Sequence, residues 1–86
     1  MRKQIEKYDD NGNLVYCKNN DGSESWRVFD KNNNLIHYND SKGSEVWYEY
    51  DKNNNLIHYK DSDGFEFSQE FDENNKMIKK TEKINN

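Results

Sequence analysis

The sequence predicts an all-β protein, an antiparallel meander of about eight strands made from four hairpin repeats of 21 residues. Three observations predict it: a motif set that recurs every 21 residues, β-forming runs between Asn- and Gly-bearing turns, and no helical periodicity. Tyr8-Asp9, Phe29-Asp30, Tyr50-Asp51 and Phe71-Asp72 mark one point of each unit. Leu14, Leu35, Leu56 and Met77 keep the same spacing, followed by Val15, Ile36, Ile57 and Ile78. Gly22, Gly43 and Gly64 recur likewise, as do Glu24, Glu45 and Glu66. Four units fill the 86-residue chain, so residues 1–86 read as one domain.

Each unit contains two strands and two turns. In the third unit, Ser44-Glu45-Val46-Trp47-Tyr48-Glu49-Tyr50 is rich in aromatic and β-branched residues, and Leu56-Ile57-His58-Tyr59 repeats that character. Between them lies Asp51-Lys52-Asn53-Asn54-Asn55, whose Asn residues tolerate a left-handed backbone and form Asx turns. Gly12 stands in the first unit where Asn33 and Asn54 stand later, marking the position that requires positive φ. The other connection, Ser41-Lys42-Gly43 or Ser62-Asp63-Gly64, is a glycine-bearing hairpin turn.

Parity constrains the register. Side chains alternate faces along a strand, and a 21-residue period is odd. Equivalent residues therefore share a face only if the two turns differ in loop parity or a bulge intervenes. The expected solution is a three-residue loop at Lys52-Asn53-Asn54 and a two- or four-residue loop at the glycine turn. That register places Val46, Tyr48, Tyr50, Leu56, His58, Phe67 and Phe71 on one face. The other receives Glu45, Trp47, Glu49, Ile57 and Tyr59, with Glu24, Trp26, Val28, Ile36 and Tyr38 one repeat earlier. Both faces are half apolar, so the sheet is expected to curl, to close partly into a barrel, or to meet a partner.

Composition narrows the class. Hydrophobic residues make up 30% and charged residues 35%, with a mean hydropathy of −1.51. The chain is thus poor in core material, yet 14% aromatic residues set it apart from disordered segments. No run approaches the ~18 apolar residues of a membrane span. Met1-Arg2-Lys3-Gln4-Ile5-Glu6-Lys7 lacks an apolar signal region, and the single Cys17 offers neither an internal disulfide nor a Cys-rich zinc site. The expected compartment is the cytoplasm. Fifteen Asn residues and the many Lys fit an AT-rich coding sequence.

Tyr8-Asp9-Asp10-Asn11-Gly12-Asn13-Leu14 resembles the signature of YD-repeat (Rhs-type) proteins: an aromatic-Asp pair, a Gly or Asn turn, then Leu. The motif returns at Phe29-Asp30, Tyr50-Asp51 and Phe71-Asp72, so the resemblance covers the whole chain. It implies winding β-sheets that serve as shells, scaffolds or adhesive surfaces rather than enzymes. Four units are too few to enclose a cargo, so the resemblance bears on the fold.

Several chemistries can be weighed against this frame. Asp30, Asn32 and Asn34, like Asp51, Asn53 and Asn55, match the first ligand positions of an EF-hand-type calcium loop. Leu35 or Leu56 then replaces the required Gly, and Ser41 or Ser62 the final Glu. Turn chemistry explains the same residues, and neither metal nor cofactor is expected. His37 and His58 lie two strands apart, roughly 10 Å between backbones, and read as structural. Glu45 and Glu49 resemble a carboxylate pair of the kind used in glycoside hydrolysis, but Glu66 and Glu70 repeat them. No catalytic residues are expected, and Cys17 has no activating neighbours in sequence.

Charge is distributed unevenly. Residues 1–39 balance, residues 40–73 carry ten acids against Lys42, Lys52 and Lys60, and residues 74–86 are Lys-rich. Direct nucleic-acid binding is disfavoured by the net charge of −4. The expected function is a non-catalytic protein-binding module, its curved sheet offering Trp26, Trp47, Tyr59, Glu45, Glu49, Glu66 and Glu70 to a basic protein surface. Alternatives are a small phage or mobile-element inhibitor (anti-CRISPR-like) acting by acidic mimicry, a carbohydrate-binding module stacking on Trp26 and Trp47, and a purely structural repeat. Two half-apolar faces and two open edges leave room for a homodimer.

Overall fold

A computed structural model describes residues 4–84. Eight strands follow one another: β1 (Ile5–Tyr8), β2 (Leu14–Lys18), β3 (Glu24–Phe29), β4 (Leu35–Asp40), β5 (Glu45–Tyr50), β6 (Leu56–Asp61), β7 (Phe65–Phe71) and β8 (Met77–Ile84). They form one antiparallel sheet in sequence order, with β1 and β8 as its two edges. The sheet does not close, and every strand packs only against its neighbours in sequence.

Six of the seven connections show both bonds of one hairpin rule, and the seventh shows the second of them, from Gly64 N–H to Asp61 O. The first residue of the turn donates its amide to the fifth and accepts one from the fourth. Asp51 N–H reaches Asn55 O at 2.9 Å and Asn54 N–H reaches Asp51 O at 3.0 Å. At the opposite end of the sheet Asp40 N–H reaches Ser44 O at 3.0 Å and Gly43 N–H reaches Asp40 O at 3.2 Å. The fourth residue is left-handed throughout: Gly12, Gly22, Asn33, Gly43, Asn54, Gly64 and Asn75. A methyl group at Gly12 or Gly43 would meet nothing within 4 Å, so backbone conformation alone, and not space, selects glycine there. The leading Asp fixes the turn, since Asp51 Oδ1 accepts the amides of Asn53 and Asn55 at 2.9 and 3.0 Å.

The glycine turn therefore has a three-residue loop, not two or four, and parity is restored by a β-bulge. Glu49 pairs with His58 and Tyr50 with Leu56, which leaves Ile57 without a partner across the strand. Val15, Ile36 and Ile78 fill the same place in the other units. A bulge absorbs one residue and moves everything beyond it by one position. This corrects the expected faces: His58 joins Trp47 and Glu49, whereas Tyr59 and Tyr38 lie opposite, beside Tyr48 and Val46 respectively.

The two faces thus differ in character. An indole face carries Trp26, Trp47, the paired glutamates, His37 and His58. A phenyl face carries Cys17, Ser25, Tyr38, Val46, Tyr48, Tyr59, Phe65 and Phe67. Cys17 and Ser25, both on the phenyl face, are the only buried residues among those described, and no side chain is fully enclosed. Principal dimensions are 51 × 36 × 13 Å and the radius of gyration is 15.7 Å. A compact domain of this length has a radius of gyration of about 12 Å, so the molecule is a single twisted layer.

Side-chain hydrogen bonds tie successive hairpins together where a core would otherwise do so. Asn13 Nδ2 donates to Asn33 Oδ1 at 2.9 Å, Asn34 to Asn54 at 2.9 Å, and Asn55 to Asn75 at 3.0 Å. At the other end, Ser41 Oγ accepts the Glu24 amide and Ser62 Oγ the Glu45 amide, both at 2.9 Å.

Candidate protein-binding face

Strand register brings six of the seven expected residues onto the indole face. β3 contributes Trp26, β5 contributes Glu45, Trp47 and Glu49, and β7 contributes Glu66 and Glu70. Each indole stays 38% exposed, because its ring rests on a cross-strand partner rather than under a second layer. Trp26 packs on Tyr16 and Trp47 on His37, both with centroids 5.8 Å apart. Lys60 lies over Trp47 at 6.0 Å and Lys7 over Tyr16 at 5.5 Å.

The glutamates are held in a repeating pattern. Tyr16 Oη donates to Glu24, His37 Nε2 meets Glu45 Oε2 at 2.8 Å, and His58 Nε2 meets Glu66 Oε2 at 2.7 Å. The hydrogen bond from His58 holds the Glu66 carboxyl below its ordinary value. Conversely, the bond to Glu24 pushes the Tyr16 phenol up. Glu49 is loosely placed, 3.7 Å from His58 Nδ1, and its side chain is 69% exposed. Bases also stand on this face: Lys60 and Lys83 flank Glu66, and Lys79 lies opposite Glu70. The acidic surface is consequently a band over β5 and β7, interrupted by lysines.

Tyr59 does not belong to it. Its ring stacks on Phe67 at 5.2 Å with an 11° interplanar angle and meets Tyr48 edge-on at 5.5 Å. Burial, and then the hydrogen bond to Asp61, push its phenol up to about 12. Tyr59 thus packs the opposite face.

The Asp-x-Asn-x-Asn loops direct their carboxylates inward to the turn. Asp30 Oδ1 accepts the amides of Asn32 and Asn34 at 2.8 and 2.9 Å. No cluster of three or more His, Cys, Asp or Glu side chains arranged for a metal occurs among the described residues. Sequence reasoning missed the partners Tyr16, His37 and His58, although each precedes its glutamate by eight residues and recurs with the 21-residue period. The bulge hid this by assigning His58 to the wrong face.

Fold and face together define a class: a single-layer β-hairpin repeat with one carboxylate-and-indole surface. No protein-family model matches the chain, and comparison with curated proteins finds no significant match. No helix among the described residues is long and apolar enough to cross a membrane.

Proposed function

We propose that the protein is a non-catalytic binding module whose indole face docks a protein partner bearing basic groups. The observation that carries this reading is the co-location of half-exposed Trp26 and Trp47 with Glu45, Glu49, Glu66 and Glu70 on one unobstructed face. Trp rings supply contact area at low entropic cost, and carboxylates beside them select basic groups. Hairpin repetition of the YD kind supplies the scaffold for this surface.

Glu49 and Glu70 are the cleanest probes, because neither is bound to a ring nitrogen as closely as Glu45 and Glu66 are. In affinity capture from host lysate, Glu49→Lys with Glu70→Lys should weaken recovery of the partner at least tenfold. Trp47→Ala should do the same, and circular dichroism should remain unchanged. Full retention of the partner by both variants refutes docking through this face.

A further inference from the structure

The phenyl face is uncovered among the described residues, and its two halves are unlike. Equivalent positions grow in size along the chain: Cys17 becomes Tyr38 and then Tyr59, Ser25 becomes Val46 and then Phe67, and Ser23 becomes Ser44 and then Phe65. The hairpin β2–β3 therefore holds a notch of about 260 Å³ lined by Cys17, Ser23, Ser25, Arg27, Tyr38 and Asp40, among others. The hairpin β6–β7 instead raises a ridge of Tyr59, Phe65 and Phe67, their ring centroids 5.2 to 6.0 Å apart. Both features lie toward the glycine-turn end of the sheet.

We propose that the chain pairs face to face with a second copy of itself, the ridge of each copy seated in the notch of the other. Strand order makes the fit self-complementary. A twofold axis in the plane of the sheet, between β4 and β5 and inclined to the strands, carries β2–β3 over β6–β7. The inclination takes up the four-residue offset, roughly 13 Å, that the register puts between equivalent positions of the two hairpins. Charge agrees with shape. Arg27 lies over the Tyr38 ring at 5.1 Å, donates to Ser25 at 3.2 Å, and has no carboxylate partner among the described residues. The opposing half presents Asp61 on the same face, where Glu82 is already paired with Lys80 at 3.2 Å. Extent agrees as well. A face spanning 51 by 36 Å suffices for the roughly 2,000 Å² or more buried by obligate homodimers. The two layers would form a sandwich with the indole faces outward, giving the bivalent form of the binding module.

Light scattering across a concentration series tests the pairing, with twice the 10.4 kDa chain mass as the expected value. A monomer mass at all concentrations up to about 100 μM overturns it. Ser25→Trp fills the notch from its open side and should weaken dimerisation at least tenfold while leaving the β-sheet spectrum intact. An undiminished dimer overturns the ridge-in-notch arrangement. Phe65→Cys gives a direct readout against native Cys17. The two positions lie on strands five apart, roughly 24 Å, too far for a short crosslink within one chain. A bis-maleimide of about 10 Å reach, which spans the gap between packed sheets, should link Cys17 to the thiol introduced by Phe65→Cys in the second copy, as mapped by peptide mass spectrometry. Links between like positions alone, or none, overturn the arrangement. Glu49→Lys with Glu70→Lys should leave the mass unchanged, which separates this pairing from partner docking.

Discussion

Asparagine does two jobs in this protein, and the residues replacing it show which is which. At the fourth turn position Asn33, Asn54 and Asn75 adopt φ of 65°, 66° and 64°, and each accepts a bond from the preceding loop. Gly12, with no earlier loop among the described residues to donate to it, keeps the conformation without the side chain. Lys76 takes the donor position after the last rung, where Asn13, Asn34 and Asn55 stand in the earlier turns. Asn54→Gly should therefore lose only a rung, a few tenths of a kcal/mol, whereas Asn54→Ala adds the left-handed penalty of roughly 1–2 kcal/mol. Urea unfolding of the two variants should rank them in that order. Turn carboxylates set a second expectation. Backbone amides of Asn13, Asn34 and Asn55 hold Asp9, Asp30 and Asp51 below the ordinary value of 3.8. A depressed folded value means stability that is present above 3.8 and lost as pH falls through the folded values beneath it. The triple variant Asp9→Asn, Asp30→Asn, Asp51→Asn should melt lower at neutral pH and lose less between about pH 4 and 2. An unaltered acid limb in thermal melts refutes this role.

At the scale of the element, one bulge per unit decides which side chains meet. The Leu–Ile step was legible as a repeated feature, and an odd period made some parity device necessary. Sequence offered no means of choosing between a shorter glycine turn and a bulge, because both satisfy alternation. Hydrogen bonding chose. Asp40 and Asp61 each accept two backbone amides, which fits a three-residue loop ending in left-handed Gly43 or Gly64. Ile57 is consequently the one residue of its strand that the ladder can spare. Ile57→Ala should cost about 1 kcal/mol for partial burial. Deleting Ile57 should cost no more than a similar amount, because Leu56 and His58 then continue a regular ladder against Tyr50 and Glu49. Deleting the paired residue Tyr59 should instead cost well above about 2 kcal/mol, because every residue from Lys60 onward must change face or slip register. Near-equal losses for the two deletions in denaturant titrations contradict the bulge as the register device.

Across the whole molecule, stability is distributed along one dimension. Strands touch only their sequence neighbours, and the asparagine rungs link consecutive turns. Arrays of this kind tolerate removal of a unit, because each interface is local. Deleting residues 31–51 joins Asp30 to Lys52 and recreates the native segment Asp-Lys-Asn-Asn-Asn-Leu-Ile-His-Tyr. The shortened chain should retain β-sheet circular dichroism with a lower melting temperature. A random-coil spectrum contradicts nearest-neighbour stability. A single layer also explains how a chain with 30% hydrophobic residues folds at all. Its turns and side-chain ladders restrict the backbone locally, and aromatic rings pack pairwise across strands.

Sequence by itself determined the hairpin, the period, the strand order, and the turn positions that take positive φ. These follow from local chemistry: β-forming runs, Asn and Gly turns, and an Asp that caps the turn amides. It also put Trp26 and Trp47 on the face of Glu45, Glu49, Glu66 and Glu70, since residues two apart on a strand share a side. Only the tertiary structure decided where the parity was restored, and with it that His37 and His58 brace glutamates while Tyr59 packs the opposite face. The physical reason is that a bulge leaves no compositional mark. It is fixed by hydrogen bonds between strands, and a shift of one residue exchanges the two faces of the sheet.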